Sequence, residues 1–549
     1  MDNRIVKISC FVLIAAIFIF GSFFGSSRTE DKLIPARQLV WVFFTFILFM
    51  IVTIRLAAKP QSVNIADYVK RPVFVFMIFF LAANIFSYNG AINRSESLYE
   101  IQRLFLMMTF IMLIWLSDIK SILFERLFVL ITLGSVAIAF YELNIRSVDA
   151  SYGTMGSKNL FAAAMMFTLP LCIKNAFTDR KLYRVFSWIA VLTALVVFVF
   201  LRARSVYAGM VLGIMTVILM TKKYRVPILC AVVVMGSAVA IYNGKEVMNT
   251  ISISNRMKIW KYSLVMFNEN KIFGIGAGNW KLKILNAGAD LEIPGSYEKS
   301  TYKSSHNDYV GVLAETGLIG FISYVAIFVA ALHQAVKRKN IAIASALVGY
   351  MTVAFFSFPK DRAYHTIVLC LLLAMSYEGC VGRKKKFNPR PVARYLTALT
   401  VFVFLYLTLF CFCCRYRSEC SVKRMRDNPA NWKMHLWERR NYSRFCTLNT
   451  YCTPLHFYYG VANVKLGNIR EGLNDFLIAR KHSPSDAYVL TNLGNCFSKL
   501  EQQAKASWCF REAARLHPEI ELISNNMKIY ESSRNFQLLC DSIGNKILK

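Results

Sequence analysis

The sequence predicts an all-α protein: a polytopic transmembrane helical bundle followed by a helical-repeat domain. Three observations predict it. The 549 residues are 56% hydrophobic, with a mean hydropathy of +0.42, too apolar for a soluble protein of this length. Charge-poor runs recur from the N-terminus to about Cys414, many of them long enough to cross a hydrocarbon core. Beyond them, a polar tail repeats itself at an offset of 34 residues.

Taken in order, the apolar runs are 8–24, 36–56, 71–88, 102–117, 122–140, 159–175, 185–201, 205–221, 226–242, 309–332, 340–357, 363–379 and 395–414. They make about thirteen spans within a transmembrane domain 1–414. Arg4 and Lys7 precede the first run in the manner of a signal peptide. No small-x-small site closes it and many spans follow, so it is read as an uncleaved first span.

The formal charge of +33 does not point to nucleic acid, because the basic residues sit mainly in short connections between apolar runs. With the N-terminus inside, the cytoplasmic connections carry Arg55, Lys59, Lys70 and Arg71, then Lys174, Arg180, Lys181 and Arg184. Lys222, Lys223 and Arg225 follow, then Lys337, Arg338 and Lys339, and finally "GRKKKFNPRPVAR" at 382–394, with six basic residues and no acid. The long connection 243–308 and the tail 415–549 then share the outer side, with Arg202, Arg204 and His306. Among the fourteen cysteines, Cys10, Cys172, Cys230, Cys370 and Cys380 lie in or beside apolar runs as small core residues, and no spacing makes a zinc pattern. An outer tail permits disulfides without fixing their pairing.

In the tail, "YYGVANVKLGNIREGLNDFLIARKHSP" (458–484) aligns with "NLGNCFSKLEQQAKASWCFREAARLHP" (492–518). Gly460 meets Gly494, Leu466 meets Leu500, Ala479 meets Ala513 and Pro484 meets Pro518. This resembles tetratricopeptide repeats, helix-turn-helix units of that period. The flanks 425–452 and 519–545 read as degenerate units or caps. Such a tail is either a stable extramembrane cap or a holder of a protein partner or acceptor.

Four stretches interrupt the apolar pattern. "GTMGSKNLFAAAMM" (153–166) puts small residues and Asn159 where the chain enters the bilayer. "FLRARSVYAGM" (200–210) holds Arg202 and Arg204 between two spans with almost no loop. Arginine near hydrocarbon is costly unless it snorkels, and its fork of donors suits phosphate oxygens. "SISNRMKIWKYSLVMFNENKIFGIGAGNW" (252–280) starts an amphipathic stretch with Arg256 and Lys258, then turns on three glycines without the ending of a phosphate loop. "TYKSSHNDYVGVLAETGLIGF" (301–321) places His306, Asn307 and Asp308 before an apolar helix that contains Glu315, with Gly317 and Gly320 for close helix packing. "SFPKDRAYH" (357–365) adds Lys360, Asp361, Arg362 and His365 on the same side.

"NRMKIW", "IFGIGAGNW" and "SSHNDYVGVLAETGLIG", in that order and about fifty residues apart, resemble the central region of the O-antigen ligase and polymerase superfamily, which includes bacterial protein O-oligosaccharyltransferases. "GTMGSKNLFA" and "RARSVYAG" look like its small-residue and arginine-serine segments, and the likeness covers about residues 75–380. The resemblance implies a GT-C-like bundle in the bacterial cell inner membrane, with the N-terminus cytoplasmic and the tail periplasmic. It implies transfer of a glycan from an undecaprenyl-diphosphate-linked donor to an acceptor hydroxyl, with inversion. The family's two arginines and histidine map to Arg204, Arg256 and His306, and a later acidic position to Asp361. Arg204-Ser205 reverses the family's serine-arginine order, so Arg202 also stands as a candidate.

In that scheme Arg204 and Arg256, aided by Arg202 and Lys258, bind the diphosphate. They stabilise charge that grows on the leaving oxygen. His306 takes or orients the acceptor proton. Asn159, Asn307, Asp308, Glu315 and Asp361 are supporting candidates. No metal or other cofactor is expected, since no carboxylate cluster has ligand spacing and no nucleotide motif is present. The acceptor stays open between lipid A-core, an exported protein and a growing glycan; the last would place both substrates on lipid diphosphate and call for a second cationic site. Membrane lipids, and a protein held by the tail, complete the expected partners. A transporter of lipid-linked substrates is the alternative class, and it predicts charges deep in several helices rather than gathered at one face. A structural assembly protein that binds through its repeats is the third.

Overall fold

The computed structural model describes residues 3–58, 65–145, 153–221, 250–284, 303–378 and 391–516. Every regular element among them is helical. In chain order they are α1 (Asn3–Phe23), α2 (Ile34–Ala58), α3 (Ile65–Val69), α4 (Pro72–Ser87), α5 (Arg94–Ser117), α6 (Ser121–Ile145), α7 (Lys158–Thr178), α8 (Lys181–Leu201) and α9 (Arg204–Met220). After them come α10 (Thr250–Glu269), α11 (Trp280–Lys283), α12 (Asp308–Lys337), α13 (Ile341–Phe356), α14 (Ala363–Ser376) and α15 (Pro391–Asp427). The tail contributes α16 (Trp432–Glu438), α17 (Leu455–Lys465), α18 (Ile469–His482), α19 (Ala487–Lys499) and α20 (Gln503–Leu516).

Nine helices among the described residues are long and apolar enough to cross a membrane: α1, α2, α4 with the turn after it, α5, α6, α7, α8, α12 and the 395–427 part of α15. Three shorter apolar helices, α9, α13 and α14, bring the total to twelve of the thirteen expected runs. The expected span 226–242 lies outside the described residues, as do 222–225, most of the basic 382–394 connection, 285–302 and the flank from 517 onward. Phe79, Phe86, Leu130 and Leu192 stand exposed on spans, where lipid rather than water is the medium that suits them. The faces turned inward bury Trp41, Phe110, Phe128, Phe167, Phe328 and Tyr350 in one continuous core.

Helix ends follow local chemistry. Asn93 caps α5 by accepting the N–H of Ser95 at 3.0 Å, and Asn340 caps α13 through Ile343 at 3.3 Å. Asp118 and Arg202 end α5 and α8 in the left-handed conformation, with φ of 52° and 51°. Arg202 therefore turns the chain directly into α9.

The last span does not stop at Cys414. α15 continues to Asp427, so the tail leaves the bundle on a continuous helix. Tail and bundle then interlock. Thr450 donates its N–H and its hydroxyl to Glu419 Oε1, both at 2.7 Å. Asn93 Nδ2 donates to Thr447 at 2.9 Å, and Ser485 donates to the Leu282 carbonyl at 3.3 Å. These contacts hold the tail on the end of the bundle that carries residues 271–284 and 303–308.

The tail forms two helical hairpins, α17–α18 and α19–α20. A Cβ on Gly460 would sit 2.8 Å from the Phe476 ring, and one on Gly494 would sit 2.7 Å from Phe510. Both glycines and both aromatics stand in register at the 34-residue offset. Cys420, Cys446, Cys452, Cys496 and Cys509 are all free thiols, and Cys540 lies outside the described residues.

Candidate functional site

The site is built on a helix that the sequence breaks. Gly317 interrupts α12 with φ 65° and ψ −166°. The segment 271–276 fills the break: Ile275 and Gly276 donate to the carbonyls of Ala314 and Glu315 at 3.1 and 3.0 Å, and Leu318 donates to Lys271 at 2.9 Å. A Cβ on Gly274 would lie 2.4 Å from the Glu315 backbone, and one on Gly317 would lie 2.3 Å from the Ile272 carbonyl. The glycines of "GIGAGNW" thus permit backbone against backbone, and Gly317 serves the break rather than the helix packing expected of it.

At the start of α12, Asn307 accepts the N–H groups of Tyr309 and Val310 at 3.0 and 3.1 Å. It is fully buried, so its role is that of a helix cap. The residue before it, His306, takes φ of 51°, which swings its ring out of the line of the helix. The ring stands edge-on to Phe358, centroids 5.0 Å apart.

α10 reaches the same place. Trp260 donates its indole N–H to the Ser305 carbonyl at 3.2 Å and packs edge-on to Phe355. Four residues earlier on the same helix face, Arg256 donates to the Phe356 carbonyl at 3.1 Å. One stretch, 355–358, where α13 ends, therefore touches Trp260, Arg256 and His306. Arg256 is half-buried, and its pKa is lowered first by burial and then by the charge of Arg204. Burial, then Arg256, pushes the His306 imidazole down to about 4. At neutral pH the ring is uncharged and free to accept a proton, beside guanidiniums that favour an anion.

The turn that follows 355–358 also carries a partly buried ionic cluster. The Lys360 ammonium stands 3.7 Å from Glu100, 3.8 Å from Glu315 and 3.9 Å from Asp361. Burial opposes its charge, but Glu100, Glu315 and Asp361 hold its pKa above the usual range. Its backbone N–H donates to Asp308 at 3.0 Å, and its carbonyl accepts from Arg103. Arg103 pairs with Glu100 at 2.7 Å, and Glu315 also accepts the N–H of Trp280 at 3.2 Å. A cavity of about 60 Å³ opens onto Glu100, Arg103, Glu315, Tyr324 and Lys360. Asp308, Glu315 and Asp361 thus meet through Lys360 and tie the turn 356–362 to the His306 loop.

The other candidates stand apart from this cluster. Asn159 occupies the first turn of α7 beside Leu160, whose carbonyl lies 2.9 Å from His365 Nε2. Lys258 is two positions beyond Arg256, which turns it to the opposite side of α10. Arg202 forms the corner before Arg204. Trp260, Glu100 and Arg103 were not among the candidates. An arginine and a glutamate three apart at the head of an apolar run are a readable signal for the last two; Trp260 reads only as part of an apolar face.

Among the described residues no three His, Cys, Asp or Glu side chains come together as a group that could hold a metal ion. A comparison with curated proteins finds no match. Residues 188–325, which contain Arg202, Arg204, Arg256 and His306, match the family model described as O-antigen ligase, and this likeness, with nine helices among the described residues long and apolar enough to cross a membrane, supports a multi-pass membrane protein of ligase- or polymerase-type glycosyl transfer in general.

Proposed function

We propose that the protein transfers a glycan from an undecaprenyl-diphosphate-linked donor to an acceptor hydroxyl at the outer face of the bacterial inner membrane. The observation that carries this reading is that Arg256 on α10 and His306 before α12 meet the same short stretch, at the Phe356 carbonyl and the Phe358 ring, with the charge of Arg204 at the start of α9 reaching Arg256. Arg204 and Arg256 bind the diphosphate. As the sugar C1–O bond to phosphate breaks, charge grows on the departing oxygen, and fixed guanidiniums stabilise it more than the ground state. The acceptor oxygen forms the new bond to C1 from the opposite face, and its proton passes to neutral His306.

The basic connections support an orientation with the N-terminus in the cytoplasm and the site, with the tail, in the periplasm. The two tail hairpins, with Gly460 and Gly494 each under an aromatic ring, support a tetratricopeptide-like unit docked beside the site. Such a unit suits a large acceptor, lipid A-core or protein.

The test is transfer by the full chain in nanodiscs, with undecaprenyl-diphosphate-linked glycan and either lipid A-core or an exported protein as acceptor. His306→Ala is expected to abolish product while donor binding persists. Wild-type transfer rates in that variant would refute the assignment.

A further inference from the structure

Phe358 has a second neighbour, and this one is charged. The Arg362 guanidinium carbon lies 5.6 Å from the centroid of the ring that His306 meets edge-on. Arg362 is the N-cap residue of α14, and no side chain caps that helix start. Arg362 is half-buried, yet its Nε is buried without a hydrogen-bond partner.

Arg37, on the first turn of α2, is in the same condition. It is 4% exposed. Its Nε donates to the Phe24 carbonyl at 2.8 Å and its Nη1 to Met155 Sδ at 3.3 Å, which fixes the guanidinium and leaves Nη2 without a partner. The helix that Arg362 begins, α14, packs against α2, the helix of Arg37, and the charge of Arg362 reaches Arg37. Lys303 is also within electrostatic reach of Arg362. Asp31 and Asp361 are the acids whose charges reach Arg362; the Oδ1 of Asp31 is already taken by the N–H groups of Leu33 and Ile34, and Asp361 lies 3.9 Å from the Lys360 ammonium. Two like-charged guanidiniums with unused donors, partly out of water, form a place where an anion lowers the energy. The uncapped start of α14 adds its own N–H groups. Beside them His365 donates Nε2–H to Leu160 at 2.9 Å, so its unpartnered Nδ1 offers a lone pair to a hydroxyl.

We infer that Arg37 and Arg362 form a second anion subsite, sharing the Phe358 ring with His306, and that it seats a phosphate carried by a glycolipid acceptor. This rests on the transfer reaction proposed above. There the donor diphosphate occupies Arg204 and Arg256, and the acceptor must approach C1 from the opposite face with its hydroxyl at His306. A phosphate held one aromatic ring away from His306 therefore belongs to the acceptor. Two sources share this chemistry: a phosphorylated lipid A-core, and a second polyprenyl-diphosphate-linked glycan.

The experiment measures binding to the full chain in nanodiscs with three probes: phosphorylated lipid A-core, the same lipid after phosphatase treatment, and undecaprenyl-diphosphate-linked glycan. Arg362→Gln changes a half-exposed residue and carries the test; Arg37→Lys asks whether charge without the fork suffices. If lipid A-core is the source, wild type prefers the phosphorylated form, and the preference collapses on the order of tenfold or more in Arg362→Gln. If a second lipid diphosphate is the source, wild type binds two per chain and Arg362→Gln binds one. Equal binding of all three probes by wild type and Arg362→Gln overturns the subsite, as does a loss shared by the phosphorylated and treated lipids. His306→Ala separates the two proposals: it is expected to keep the phosphate preference while losing transfer. Transfer that survives in His306→Ala refutes the catalytic reading, and the binding result still decides the subsite.

Discussion

Trp260 and Ser305 join the helix of Arg256 to the loop of His306 through one hydrogen bond of 3.2 Å from indole N–H to carbonyl. The bond ends one residue before His306 and starts one helical turn after Arg256. It therefore ties together the two groups that, in the reaction proposed above, a diphosphate and a hydroxyl must share.

Trp260→Phe keeps the aromatic contact with Phe355 and removes the bond. The fold should lose only about 1 kcal/mol, while kcat/KM falls about tenfold, equivalent to about 1.4 kcal/mol of barrier. Steady-state kinetics beside thermal unfolding check this. A stability loss with no change in rate would show that the bond holds the fold but not the reacting geometry.

The pH dependence follows from His306. Burial, then Arg256, lowers its pKa to about 4 in the folded protein, whereas an unfolded histidine titrates near about 6.5. Between those values the unfolded chain binds more protons. The stability linked to this residue is therefore intact above about pH 6.5 and is lost as pH falls through about 4. The acid limb of kcat/KM, which reports the free enzyme, is expected near 4. Arg256→Gln removes one depressing charge, so its limb moves toward 6.5 while the rate drops roughly a hundredfold or more. A wild-type limb at 6.5 would contradict the burial of the ring.

Gly274 and Gly317 make a reciprocal pair. Each has positive φ, 73° and 65°, and each presses against the backbone of the other's segment. Alanine at either position should open the seam between 271–276 and α12, with a loss of roughly 3 kcal/mol or more. Gly467 is the control: its φ is 89°, but nothing lies within 4 Å of an added Cβ. There alanine should cost only about 1–2 kcal/mol of backbone strain. Thermal unfolding of the three variants measures the difference, and equal losses would mean that the seam contributes nothing.

Much of the bundle was legible because a bilayer demands uninterrupted apolar runs; the twelve described apolar helices match expected runs in order. The grouping of Arg204, Arg256 and His306 was legible only as chemistry gathered at one side. What joins Arg256 to His306, Trp260 on Ser305 and Phe358 beside His306, uses ordinary core residue types that carry no pattern. The glycines of 274–278 announced a turn, but not that the turn would fill a break in α12 forty residues later. Lys360 stood out as a charge beside a span, whereas its three carboxylate neighbours come from α5, α12 and its own turn. Only tertiary structure assembles that set.

Glu96 provides the test of how firmly the tail is held. It is 1% exposed, pairs with Lys281 at 2.6 Å and also receives Arg415. The three residues come from α5, α11 and the extension of α15 beyond the last span. A buried carboxylate between two cations is stable only while all three remain, because removing the centre leaves two like charges facing each other out of water. Glu96→Gln should therefore cost about 3–5 kcal/mol, concentrated where α15 and the tail dock. Lys281→Met leaves one complete pair and should cost less. Limited proteolysis of the full chain in nanodiscs reads the location: Glu96→Gln should expose cleavage within 428–454 while the 72–378 helices stay protected. Uniform sensitivity along the chain would show instead that Glu96 supports the bundle itself, and the tail would then have to be held chiefly by its hydrogen bonds at Thr447 and Thr450.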